Sequence, residues 1–203
     1  MKKHTITIVL FLNILILQAQ NNFEKINKEI CFNLKDVNIK TNTKLKLLEI
    51  ESELTNRIVL KNNNNISIIK ATIKRNFPEL GINEINRKAV TEMFFYLLDN
   101  CEKYLKLKQK TTNSHNYPNK KSLEVITTDF NQFLIKNSSK SYKELNSFID
   151  ENIVLFLKKH YDVIMKDYTQ GPSSSEFQDD LISSLMMNSD LYFKTTMHAE
   201  YND

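Results

Sequence analysis

Two glycines in 203 residues constrain this chain more than any other feature. Tight hairpins depend on Gly and on Asn-Gly or Pro pairs at their turns. With only Gly81, Gly171 and three prolines, a protein of many short strands lacks the material for its turns. The apolar residues instead recur at steps of three and four, the period of a helix buried on one side. The expected fold class is all-α. The same scarcity closes two catalytic classes, because phosphate-cradling loops and the Gly-x-Ser-x-Gly nucleophile elbow both need clustered glycines.

The N-terminus reads as a secretory signal over residues 1–19. Lys2 and Lys3 supply the positive start, Ile6 to Leu17 form an apolar run broken only by Thr7 and Asn13, and Ala19 is the small residue before a cleavage point. The run is shorter than the roughly 20 residues a membrane-spanning helix needs. No transmembrane span is expected once the signal is removed, and no cysteine follows the run to carry a lipid. The mature chain is expected to begin at Gln20, exported to the periplasm or the extracellular space.

Two helical units follow. In the first, residues 20–109, Phe23, Ile26, Ile30 and Leu34 mark a helix with Asn22 as its N-cap. Leu47, Ile50, Leu54 and Ile58 mark a second from about Thr43 to Lys61, ended by the Asn62–Asn65 run. Ile66, Ile69, Ile73 and Phe77 continue the period, although Ile66, Ile68 and Ile69 also suit a short strand. Past Pro78 and Gly81, one long helix is expected from about Glu84 to Lys108. Residues 110–121 have no apolar period and contain Pro118, and so read as a linker.

The second unit, residues 122–203, opens on Leu123, Ile126, Phe130 and Leu134. Ser141 with Glu144, and Ser175 with Gln178, are capping-box signatures for later helices, and the tail from Thr195 is polar. Residues 20–121 hold 19 basic and 11 acidic side chains, net +8, and residues 122–203 hold 7 and 13, net −6. The near balance of the two halves argues against nucleic acid as a partner.

The units echo one another. Phe23-Glu24-Lys25-Ile26 through Leu34 aligns with Leu123-Glu124-Val125-Ile126 through Leu134 at an offset of 100. Ile58-Val59-Leu60 aligns with Ile153-Val154-Leu155 at 95, and Leu97 to Leu105 with Leu185 to Phe193 at 88. The expected architecture is therefore a tandem duplication of helical units, packed as one array or two small bundles. Glu29-Ile30-Cys31-Phe32-Asn33-Leu34 and Leu97-Leu98-Asp99-Asn100-Cys101 also resemble a functionally uncharacterised secreted helical module of Bacteroidota, over about residues 20–108. That resemblance implies an exported helical protein. The chain departs from the module at Asn33, which stands where a second early cysteine would be.

Chemistry concentrates in the cysteines. Cys31 and Cys101 are expected to form a disulfide, because the compartment is oxidising and the count even. The echo agrees, since the matching positions, Asn131 and Ser189, lack both members of the pair together; two buried free thiols are the alternative. His4, His115, His160 and His198 lack the spacing of metal ligands. Met186, Met187, Met197 and His198 are read as packing and surface residues rather than a soft-metal cluster, and Asp179-Asp180 as a solvated face. The basic run Lys103, Lys106, Lys108, Lys110, Lys120, Lys121 reads as a solvated helix end and linker. No catalytic residue, cofactor or metal site is expected. The chain reads as a non-enzymatic module binding a protein or envelope component. The alternative is a helical enzyme or small-ligand carrier, for which His160, Tyr161, Asp162, Tyr104 and Tyr192 are the residues to inspect.

Overall fold

The computed structural model describes residues 21–113 and 117–202. The expected signal, the mature terminus at Gln20, His4 and His115 lie outside the described residues. The fold is all-α, and no strand occurs among the described residues. The chain divides into two compact units, one ending at Leu105 and the other beginning at Lys106.

In the first unit, α1 covers residues 21–34, α2 Lys44–Lys61, α3 Asn63–Asn76 and α4 Ile82–Asn100; α5, Glu102–Thr112, carries the chain across the boundary. Ile26, Ile30 and Leu34 of α1 and Leu47, Leu54 and Ile58 of α2 are buried as their period requires. Asn22 lies within α1 rather than capping it. Thr43 caps α2 by accepting from the Lys46 N–H at 3.3 Å. Asn62 ends α2, but Asn63 to Asn65 open α3, so the asparagine run is a one-residue break. The strand alternative for residues 66–69 is replaced by helix, with Ile66, Ile69 and Ile73 buried. Glu84 holds the start of α4 by accepting from the Gly81 N–H at 2.7 Å.

The long helix expected from Glu84 to Lys108 is two helices. Cys101 leaves the helical region at φ −132°, ψ 97°. Its N–H still donates to the Leu97 carbonyl at 2.9 Å, and its carbonyl accepts from the Leu105 N–H at 3.0 Å. The apolar period therefore reads through the break, which is why the sequence pattern conceals it.

In the second unit, α6 is Lys121–Ile135, α7 Tyr142–Lys159, α8 Tyr161–Ile164, α9 Ser175–Asn188 and α10 Asp190–Asn202. α6 packs on α9, and α10 packs on α7 and α9. Phe130 is fully buried, with the rings of Phe156 at 4.9 Å and Phe133 at 5.8 Å between centroids. Leu123, Ile126, Leu134, Leu145, Ile149, Ile164, Tyr168, Phe177, Leu181 and Leu185 complete the buried part of this core. The Ser141 and Glu144 capping box is present: Ser141 Oγ accepts from the Glu144 N–H, and the Glu144 carboxylate accepts from the Ser141 N–H. The cap of α9 is Ser174, not Ser175, and Ser174 Oγ accepts from the Phe177 N–H at 3.3 Å. Thr195 and Met197, expected in a fraying tail, are buried residues of α10. Gly171 turns the chain before α9 at φ +74°, a conformation that side-chain-bearing residues rarely adopt.

Several local features occur once in each unit. α2 and α7 are both 18 residues long, with caps at Thr43 and Ser141 and ends at Asn62 and His160. Both pairs lie 98 apart, so this helix pairs three residues away from the expected offset of 95. Ser189 breaks α9 from α10 at φ −118°, ψ 104°, and its N–H donates to Leu185 and its carbonyl accepts from Phe193 as Cys101 does with Leu97 and Leu105. The third helix differs, with 14 residues in α3 against 4 in α8.

Candidate functional site

Four sets of side chains carry chemistry. The first is the cysteine pair, which is bonded: Cys31 and Cys101 form a disulfide with Cα atoms 5.8 Å apart. At the matching positions of the second unit, Ser189 Oγ donates to Asn131 Oδ1 at 2.8 Å. A covalent link and a hydrogen bond thus join the first helix of each unit to the break between its last two.

A second pair of matching contacts sits where α2 and α7 end. The Asn62 amide donates to the Ile58 carbonyl and to Glu29 Oε2, both at 3.0 Å. In the second unit, His160 places Nδ1 2.9 Å from the Phe156 carbonyl and Nε2 3.1 Å from Asp129 Oδ2. The first contact joins a long carboxylate to a short amide, and the second a short carboxylate to a long imidazole. Hydrogen bonds from Lys61 and Asn62 hold the Glu29 carboxyl below its ordinary pKa. His160→Asn alone is expected to destabilise by about 0.5–1.5 kcal/mol, the net value of one hydrogen bond. The double variant Asp129→Glu/His160→Asn is expected to recover about 1 kcal/mol, read as a favourable coupling in a urea-denaturation double-mutant cycle. Zero coupling would break the correspondence.

The third set lies in the second unit and is the main correction to the sequence reading. Asp180, expected on a solvated face, is 2 % exposed. Its Oδ2 accepts from the Tyr168 hydroxyl at 2.7 Å and lies 3.9 Å from Lys120 Nζ. Lys120 Nζ also donates to Glu176 Oε1 at 2.7 Å and sits 3.7 Å above the centre of the Tyr168 ring. Burial first, and the Asp180 carboxylate second, push the Tyr168 phenol well above its ordinary pKa, so it stays a donor. Removing that donor with Tyr168→Phe is expected to lower stability by about 1–3 kcal/mol in urea denaturation. A change below about 0.5 kcal/mol, the usual size for surface substitutions, would show that the bond contributes little.

Beside this cluster, Asp167 accepts from Ser122 Oγ at 2.6 Å and from the Ser122 N–H at 3.0 Å, tying the loop before α9 to the first turn of α6. Those bonds, the hydroxyl's first, hold the Asp167 carboxyl below its ordinary value of 3.8. Because the folded pKa is the lower one, the contribution is complete above the unfolded value and is lost as pH falls through the folded value. Asp167→Asn is therefore expected to flatten the acid limb of the stability profile below about pH 4, measured by denaturation at stepped pH.

A cleft of about 340 Å³ opens where residues 117–120 and α6 meet α9. Thr127 and Ser184, hydrogen-bonded at 2.8 Å and both buried, are among its lining residues. Asn188 Nδ2 donates to the Tyr117 hydroxyl at 2.7 Å, and Asn119, Lys120, Glu124 and Thr128 add further polar groups to the lining. Sequence reasoning missed this set. Its members come from segments some 60 residues apart with no characteristic spacing, and the only signal was the concentration of hydroxyl and amide residues around Pro118.

The remaining sequence candidates are dispersed. Tyr104 is buried and donates to Glu51 at 2.9 Å. Burial raises the Tyr192 pKa. Tyr161 and Asp162 are exposed. Met186 and Met197 are buried, and His198 stacks on Tyr142 with ring centres 4.0 Å apart. Lys106, still partly exposed, pairs with Asp190 at 2.6 Å, whereas Lys120 is drawn into the Asp180 cluster. Among the described residues, no group of three or more His, Cys, Asp or Glu side chains is arranged to hold a metal ion. Likewise, no described helix is long and apolar enough to cross a membrane. No protein family, curated protein or solved structure matches this chain.

Proposed function

We propose that this protein is exported, to the periplasm or the extracellular space, and acts there as a non-enzymatic binding module for another protein or an envelope component. The observation that carries this reading is the Cys31–Cys101 disulfide, since such bonds persist in oxidising compartments and are rare in a reducing cytosol. The signal-like N-terminus and the likeness to a secreted Bacteroidota module agree with it. The test is the intact mass of protein recovered from envelope and medium, with and without reduction and alkylation. A chain starting at Gln20 whose thiols react only after reduction is the expected result. Full-length cytosolic protein with two free thiols would overturn the export reading.

The two units are read as products of a tandem duplication. The matching caps, the matching breaks at Cys101 and Ser189, and the paired contacts of Glu29 with Asn62 and Asp129 with His160 support this. In this reading the second unit lost most of its third helix and replaced the disulfide with a side-chain hydrogen bond.

The cleft of the second unit favours a second reading, a small-ligand carrier. Its volume of about 340 Å³ falls at the lower end of the range of about 300–1,000 Å³ for small-molecule sites, and several polar groups converge on it.

A further inference from the structure

We infer that the cleft of the second unit takes one neutral saccharide ring, either free or at the end of a glycan chain. This rests on the small-ligand reading of that unit. The walls first exclude two ligand classes. A lipid or other apolar body needs mainly apolar walls, whereas hydroxyl, amide and carboxylate groups prevail here, with Leu123 and Pro118 as the apolar exceptions.

An anion needs a cation with open valence. The cation on the wall is Lys120, and its ammonium is committed to Glu176 Oε1 at 2.7 Å, to the Tyr168 ring at 3.7 Å and to Asp180 at 3.9 Å. The Glu124 carboxylate on the same wall adds repulsion toward a phosphate or carboxylate ligand.

A compact neutral body bearing several hydroxyls fits what remains. The Tyr117 hydroxyl accepts from Asn188 at 2.7 Å, which leaves its own proton for a ligand oxygen. The Asn188 side-chain carbonyl, the Glu124 carboxylate and the Thr128 hydroxyl can accept from ligand hydroxyls. The buried Thr127 and Ser184 satisfy one another at 2.8 Å, so this part of the lining is built and desolvated before any ligand arrives. Pro118 and the partly exposed Tyr117 ring offer an apolar surface for the C–H face of a sugar.

Titration of the isotopically labelled chain with glucose, N-acetylglucosamine, chitotriose, spermidine and inorganic phosphate, followed by amide NMR, tests this. The expected result is saturable movement of the Thr127, Thr128 and Asn188 amides by a saccharide. Thr128→Phe, which fills the cleft from an exposed helix position, should weaken the response at least tenfold while leaving the thermal midpoint unchanged. Response to the monosaccharides supports a free-sugar site, and response to chitotriose alone supports a glycan-end site. Spermidine binding at these amides that is lost in Glu124→Gln, or phosphate binding there, would overturn the saccharide inference while leaving the small-ligand reading in place. If none of the five probes moves these amides, both fall.

Discussion

Replacing Cys31 and Cys101 together by Ala is expected to lower the stability of the first unit by about 4 kcal/mol, the chain-entropy value for closing a loop of this length. The two residues are 70 apart in sequence, and the bond ties α1 to the junction of α4 and α5. Without it, the unfolded chain regains its freedom while the native contacts stay largely as they are. Loss of that size is a large part of the roughly 5–15 kcal/mol by which domains are stable. Urea denaturation with and without a reductant checks it: reduced wild type should converge on the double variant. Cys31→Asn/Cys101→Ser, which copies the side chains of the second unit, should retain about 1 kcal/mol more than the Ala pair, one hydrogen bond's worth. Equal stability of oxidised wild type and the Ala pair would show that native strain cancels the entropy term.

The reverse experiment should succeed in the second unit. Asn131→Cys/Ser189→Cys is expected to form a second disulfide spontaneously under oxidising conditions and to raise that unit's stability by about 4 kcal/mol. The side chains already touch at 2.8 Å across 58 residues. The backbone of Ser189 also repeats the extended conformation and the two flanking hydrogen bonds that Cys101 has in the disulfide-bonded unit. A disulfide demands such backbone geometry, because Cβ atoms that point apart cannot be bridged without moving the chain. A mass shift of two hydrogens and a reductant-sensitive rise in the urea midpoint are the readouts. Failure to oxidise would show that the correspondence between the units does not extend to the Cβ vectors.

The parts of this fold that could be read from sequence are those set by short-range chemistry. The α1 stripe of Ile26, Ile30 and Leu34, the Thr43 start of α2 and the Ser141–Glu144 box depend on residues within a turn or two, and they appear where the pattern puts them. Breaks that conserve the helical period were hidden. At Cys101 and Ser189 a single extended residue interrupts the helix while hydrogen bonds on both sides persist, so the apolar spacing carries no mark of it.

Long-range polar chemistry was hidden more completely. Asp180 follows Asp179 on a helix whose acids look solvated, and only folding brings Tyr168 and Lys120 onto it. The disulfide was legible because two cysteines allow one intramolecular pairing. The cleft was not, since hydroxyls and amides are common everywhere and their convergence is a property of three dimensions.

A covalent clamp in one unit and a side-chain hydrogen bond in the other make the two units unequal in how they open. Cys31 lies on the first helix and its partner follows the fourth, so the clamp forbids the ends of the first unit from parting. The Ser189–Asn131 contact can break and re-form with ordinary thermal motion. Fluctuations that expose backbone amides to exchange or to a protease should therefore be sampled first on the half that carries the cleft. Uneven breathing of this kind leaves one half a rigid, chemically sealed body and the other adjustable around whatever enters it.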